Sequence, residues 1–378
     1  MQRVVLVYRI FEDDESTRGI FQKLEDQTEA FERLGFEVDR FYLSGQGLMR
    51  NGMLVDSIHF DQRSKSVVLG MQFYKILLPH LLALRPKYVY LRYTPSSAGL
   101  QGFLQKIKNH DATTKIILEF ATFPFLAEYK FGLKKMWVWW LSNGLPQLSR
   151  LVDLSIYFGT DDPSSLGFKS MKLSNGIRIL PKALRVHDPK KIRLLAIGSL
   201  YDWYGLDRLL YGMIAYYSQE HRPYQITLKI IGEGPHLATL QKICTHPAIT
   251  SKVFFVPSLY GTDLDPYLEQ ADLGVGVLAA YKKNLKDTTA LKHRHYCMRG
   301  IPFFYAGGDE DFDQKSFVKS FPSDASQINI SEIIDFYTSI DFATTPEKMH
   351  RYAIQNLTWT PKFDAVLERL QRLEDEEE

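Results

Sequence analysis

Residues 286–306 read KDTTALKHRHYCMRGIPFFYA. A turn carrying Asp287 and two threonines leads into a short helical run, Gly300 and Pro302 end it, and an apolar strand follows. Lys292, His295 and Arg299 stand three and four residues apart, so they share one side of that helix, while Ala290, Cys297 and Met298 are left for packing. Thr288 or Thr289 is expected to cap it, turning the first N–H groups and the positive dipole end towards a ligand cleft. Such an end binds phosphate, and Lys292 lies one turn inside it. An isolated helix of this kind is commonly a solvated basic face. Its place just before the last strand of an alternating α/β segment favours the phosphate reading.

Outward from this stretch, apolar runs alternate with helical periods. RLLAIGSL, ITLKIIG, VFFVPS, DLGVGVL and PFFYA read as strands separated by helices. In the first half VVLVYRI, EVDRFYL, YVYLRY, KIILEFA and LSIYFG do the same, and GIFQKLEDQTEAFERLG is a helix stopped by Gly35. NGMLVDSIHF and KSVVLG, in residues 51–69, are read as a small hairpin. This rhythm implies α/β architecture with parallel sheets covered on both faces. The pattern breaks near residues 177–190, giving two Rossmann-like, doubly wound domains, 1–183 and 184–349, with residues from about 350 to 378 crossing back onto the first. A ligand cleft is expected at the carboxyl ends of the strands.

Composition narrows the function classes. A net charge of +2 over 378 residues gives no global field for nucleic acid. The two cysteines, Cys244 and Cys297, read as reduced core residues. The first ten residues read as a strand and not a secretory leader, and no run has the ~18–20 apolar residues of a spanning helix. A cytoplasmic protein is expected.

The motifs in the second half resemble the donor-binding domain of GT-B glycosyltransferases of glycosyltransferase family 4. Members place an acid in a loop, then seven residues, then a second acid on the following helix, commonly with a lysine three residues before it and Gly-x-Pro behind. Here the corresponding residues are Asp287, His295, Lys292 and Gly300-Ile301-Pro302. The resemblance implies that Asp287 faces the donor sugar and Lys292 the diphosphate. His295 replaces the acid that holds the ribose hydroxyls, and Leu291 joins the donor-binding set. AIGSLYDWYGLDRLL (196–210) resembles the family's diphosphate loop, giving Gly198, Ser199, Tyr204 and Gly205. Ser199 and Tyr204 stand where basic residues are usual, so Lys292 and Arg208 are expected to carry the charge. IIGEGP (230–235) contributes Gly232 and Gly234, and VFFVPSLYGTDLDPYLEQADLGVGVL (253–278) places Ser258, Leu259 and Tyr260 beside the nucleobase. YAIQNLTW (352–359) resembles the helix that crosses back. In the first half the likeness is looser: Gly19 is placed near the diphosphate, and EFATFPFLAEY (119–129) is similar to a segment of bacterial polysaccharide glycosyltransferases.

Family resemblance implies transfer of a sugar from a nucleotide-sugar with retention, to a glycan or lipid-linked acceptor, in polysaccharide or glycoconjugate synthesis. Fixed donors and cations would stabilise the leaving diphosphate. Glu119, at a strand's carboxyl end, is the candidate for orienting or deprotonating the acceptor hydroxyl; a strand-end residue bonded to backbone is the equal alternative. The triplets DLD (263–265), DED (309–311) and DFD (311–313) are weak metal signals, and neither cofactor nor divalent metal is expected. Lys130, Lys134 and Lys135 beside Trp137, Trp139 and Trp140 suit a lipid headgroup interface on the inner membrane face, or a core helix with a basic flank. The competing reading is a catalytically silent, glycosyltransferase-like subunit, which His295, Ser199 and Tyr204 support. Nucleotide-sugar epimerisation ranks third.

Overall fold

The computed structural model describes residues 2–14, 18–57, 67–94, 99–123, 144–159, 162–183, 188 and 190–376. Two compact units divide the chain, residues 1–174 with 359–378, and residues 175–358. The sequence pattern puts this change nine residues later and the return from about residue 350.

In the first unit, β1 (Arg3–Phe11), β2 (Glu37–Ser44), β5 (Tyr88–Arg92), β6 (Lys115–Phe123), β7 (Leu154–Gly159) and β8 (Ser170–Lys172) are parallel. With β3 (Gly47–Arg50) and β4 (Met53–Asp56), which run antiparallel at one edge, the order is β4-β3-β2-β1-β5-β6-β7-β8. All five strands expected from the apolar runs are present. The hairpin lies earlier than expected: Asn51 and Gly52, both at positive φ, form its two-residue turn. Residues 67–70, read as part of that hairpin, instead open α2 (Val67–Ala83), which follows α1 (Arg18–Arg33). Further along come α3 (Leu100–His110) and the short α4 (Leu145–Leu148). Period-two alternation buries both sides of β1: Val5 and Val7 join the core with Phe73, Leu77 and Phe103, whereas Val4, Leu6 and Tyr8 join that with Leu24 and Phe31.

The second unit runs β9 (Lys191–Ile197), α5 (Leu206–Tyr217), β10 (Gln225–Ile231), α6 (Leu237–Ile243), β11 (Val253–Val256), α7 (Asp265–Gln270), β12 (Leu273–Val275), α8 (Leu291–Met298) and β13 (Phe303–Ala306). A further strand, β14 (Val318–Phe321), completes the sheet; its sequence VKSF, with Lys319 and Ser320 between two apolar residues, does not register as an apolar run. α9 (Ile330–Ser339) and α10 (Thr345–Asn356) follow. All six strands are parallel in the order β11-β10-β9-β12-β13-β14. That order reverses between β9 and β12, the crevice where doubly wound sheets take ligands. The final helix, α11 (Trp359–Asp375), returns to the first unit because its apolar side completes that core. Phe363 stacks on Phe31 with ring centroids 4.2 Å apart, and Val366, Leu370 and Leu373 extend the contact. No described helix is long and apolar enough to cross a membrane.

Candidate functional site

At the carboxyl end of β9 the chain turns through Gly198, at φ +117°, into the loop that ends at Gly205. Backbone bonds lock this loop to the one after β10: Gly198 N–H donates to Ile231 O (3.0 Å), and Leu200 N–H to Glu233 O (2.7 Å). Gly232 and Gly234 permit that approach, since a Cβ on Gly232 would strike Gly198 O, and one on Gly234 would lie 2.5 Å from Leu200 O. Their steric role is therefore backbone against backbone. Gly205, at φ +64°, sits where a Cβ would be 2.8 Å from both Ala279 Cβ and the Leu278 carbonyl carbon, which joins the β9 loop to the end of β12.

Into this corner comes Lys292, in the first turn of α8. Its ammonium lies 3.6 Å from the centre of the Tyr204 ring and 3.5 Å from the point a Gly198 Cβ would occupy. Among the described residues no hydrogen bond or ion pair holds it. Burial pushes its pKa down to about 7. A half-buried cation with only an aromatic face for company, beside exposed backbone of a left-handed glycine, is suited to meet an anion.

What fixes α8 is its buried side. His293 and Arg294 are fully buried. His293 Nε2 accepts from Val277 N–H (3.1 Å), so its proton is on Nδ1, 2.8 Å from Asp309 Oδ2. Arg294 holds Asp309 with two bonds (2.5 and 2.7 Å) and also bonds Asp311. Gly274 and Gly276 let the helix sit close, with the Tyr296 ring 2.6 Å from a Gly274 Cβ position and His293 against Gly276. At the far end Ile301 N–H donates to Tyr296 O and Gly300 N–H to Cys297 O, with Gly300 at φ +69°, a Schellman ending as expected from Gly300.

Other expectations need correction. Ala290 is the N-cap of α8, with no side-chain cap: Thr289 accepts from Asn175 Nδ2 through both its carbonyl O (2.8 Å) and its Oγ1 (3.1 Å). The basic side of α8 is reduced to Lys292. Arg299 is buried and paired with Asp265 (2.8 Å). Burial, then Arg299, against the pull of Asp265, brings His295 to about 4, so it is neutral near pH 7. Arg208 is no diphosphate cation, because its guanidinium donates to the carbonyls of Ser326 (2.6 Å), Pro322 (3.0 Å) and Leu278 and pairs with Asp324. The acidic triplets are also engaged, Asp309 and Asp311 by Arg294 and Asp265 by Arg299.

Asp287 is exposed and makes an isolated bridge with Gly308, flanked by Thr288 N–H to Gly308 O (2.9 Å) and Gly308 N–H to Lys286 O (3.1 Å). Ser199 and Leu291 are exposed, and Ser258 and Leu259 half-buried. Tyr260 is 46% exposed. Gly19 falls in the first turn of α1, with no described atom within 4 Å of a Cβ placed on it, so nothing in its unit demands glycine.

Glu119 differs most from expectation. Its carboxylate is fully buried and bonded by Lys23 (2.9 Å), Arg92 (2.9 Å), Gln27 (3.2 Å) and Tyr90. Burial alone would raise its pKa, but Lys23 and Arg92 outweigh burial and hold it down at about 2. A group so acidic and enclosed is a poor proton acceptor at pH 7; from the middle of β6, not a strand end, it ties α1 to β5. The Lys130–Trp140 segment and residues 124–129 lie outside the described residues.

The two Rossmann-like, parallel-sheet units of this chain match solved structures of the GT-B fold. The structure of sucrose-phosphate synthase from Thermosynechococcus elongatus matches at TM-score 0.66 and 12% identity, over 98% of this chain and 100% of that one. The catalytic domain of starch synthase IV from Arabidopsis thaliana, bound to ADP and acarbose, matches at 0.66 and 10%, over 98% and 99%. The lipopolysaccharide outer core galactosyltransferase WaaB, in its apo form, gives 0.60 and 10%, over 98% and 100%. No protein-family model and no curated protein sequence matches the chain.

Proposed function

We propose that this chain is a retaining, metal-independent glycosyltransferase that transfers a hexose from a nucleotide-sugar to a glycan or lipid-linked acceptor. The observation that carries the reading is the uncompensated Lys292 ammonium beside Gly198 and Tyr204 at the switch point of the second sheet. Similarly folded proteins have been seen with ADP, and with UDP and glucose, which fits a nucleoside diphosphate at such a point. As the sugar–oxygen bond breaks, negative charge grows on the diphosphate. Lys292 and the backbone donors around it would stabilise that charge more than the ground state. Asp287, exposed in its loop, would act at the sugar, and neutral His295 would offer a ring nitrogen to a ribose hydroxyl. Metal independence is supported by the engagement of Asp265, Asp309 and Asp311 with arginines. Polysaccharide or glycoconjugate synthesis on the cytoplasmic face of a membrane is the proposed setting.

His295 also favours a second reading, a silent subunit, because it gives the ribose one neutral partner where the resembled enzymes use a carboxylate. Nucleotide-sugar affinity and donor consumption, measured for the wild type, Lys292→Ala, Asp287→Asn and His295→Glu, separate the two. Lys292→Ala should weaken donor binding by about 1.5–3 kcal/mol with the fold intact. Asp287→Asn should lower turnover more than affinity. If the wild type and His295→Glu bind no nucleotide-sugar, the silent subunit is the better account.

A further inference from the structure

The charge on the proposed ligand exceeds what Lys292 supplies. A sugar-esterified diphosphate carries two negative charges and gains another on leaving. The loop from Gly198 to Gly205 contains no lysine or arginine. Nearby cations are mostly committed: Arg208 to carbonyls and Asp324, Arg294 to Asp309 and Asp311, and Arg299 to Asp265. His293 and His295 are both shifted towards the neutral form, chiefly by burial.

The segment after β12 provides the exception. Ala279 packs against Gly205, and residues Ala280–Lys283 make one turn of 3-10 helix that ends at Asn284 in the left-handed region, φ +56°. This turn sends two consecutive lysines in different directions. Lys282 reaches the Asp202 carbonyl (3.1 Å) and the Asp207 carboxylate (3.5 Å). Lys283 instead sets its ammonium 3.9 Å from the centre of the Trp203 ring, and among the described residues it has no ion pair or hydrogen bond. Trp203 is itself fixed by Tyr201, stacked at 4.2 Å and 9°. Tyr204, which carries Lys292, is the next residue along the loop. Two adjacent rings of one loop thus each hold a lysine without a carboxylate partner. An aromatic face positions an ammonium while leaving its N–H donors for another acceptor.

We infer that Lys283, positioned by Trp203, is a second diphosphate-binding cation, supplying charge that Ser199 and Tyr204 do not; the inference rests on the donor site proposed above. The probes are inorganic pyrophosphate and a panel of nucleoside diphosphates, titrated calorimetrically into the full chain. Lys283→Gln should weaken both kinds of probe about tenfold, the loss of one charge-assisted contact. Lys283→Arg should restore most of that affinity. Trp203→Leu, which keeps the charge and removes its support, should cost about two- to fivefold. Lys286→Gln, a nearby exposed lysine, should leave affinity unchanged, and thermal melts should show all four variants folded. Wild-type affinity in Lys283→Gln, or an equal loss in Lys286→Gln, overturns the role of Lys283 while leaving that of Lys292 standing. Wild-type affinity in Trp203→Leu removes the positioning role. No binding of any probe by the wild type overturns both the inference and the site on which it rests.

Discussion

Replacing Glu119 by glutamine distinguishes a buried counter-ion from a reactive base. The substitution keeps the shape but removes the carboxylate that Lys23 and Arg92 share in their ion pairs. The carboxyl sits at about 2 against an ordinary 4.5. Each pH unit is worth about 1.4 kcal/mol, so the surroundings favour the ionised form by about 3 kcal/mol. Breaking a buried pair on one side typically costs about 3–5 kcal/mol, in agreement. The sign follows from linkage. A carboxyl depressed in the fold adds stability above its unfolded value, near 4.5, and loses it as pH falls towards 2. Lys23 is lowered to about 8, burial outweighing Glu119, so above that pH it sheds its charge and needs the carboxylate less. Destabilisation of Glu119→Gln should therefore be greatest between about pH 5 and 8 and should shrink on either side. At pH 7 the first unit's melting temperature should fall by roughly 6–12 °C, since 1 kcal/mol is worth about 2–4 °C for a unit of this size. Calorimetric melts of both proteins from pH 3 to 10 provide the measurement. A variant that melts like the wild type yet has lost sugar transfer would refute the structural role and restore Glu119 as a base.

Two further outcomes follow from the site. Because burial holds Lys292 at about 7, donor affinity should decline as pH rises from 7 towards 9, by up to about tenfold per unit, whereas a lysine near its ordinary 10.5 would hold affinity flat; titration with an intact nucleotide-sugar, whose diphosphate does not ionise further in that range, checks this. Gly205→Ala should cost about 2–4 kcal/mol and displace the diphosphate loop, from positive φ and contact with the 278–279 backbone, while Gly19→Ala should leave stability unchanged or raise it by up to about 1 kcal/mol; denaturant melts of both compare them, and lost donor affinity in a stable Gly19→Ala would place that residue at the ligand.

By itself the sequence determined the α/β class, the strands and the ends of several elements, because these depend on local periodicity and local stereochemistry. VVLVYRI and RLLAIGSL are apolar on both sides of a strand wherever they sit, and Gly300 followed by Pro302 terminates a helix without help from distant residues. The short β14 gives no such signal, because VKSF sets the half-buried Lys319 and the exposed Ser320 between its two apolar residues. Which charges are spent and which remain was decided by tertiary structure. Spacing put Lys292, His295 and Arg299 together on one side of a helix, but Asp265, from another helix, takes Arg299, and burial keeps His295 neutral. The same holds for Arg208, Asp309 and Glu119, whose partners lie 15 or more residues away in sequence. An ion's availability depends on desolvation and on partners brought in by the fold, and neither is written in its neighbours along the chain.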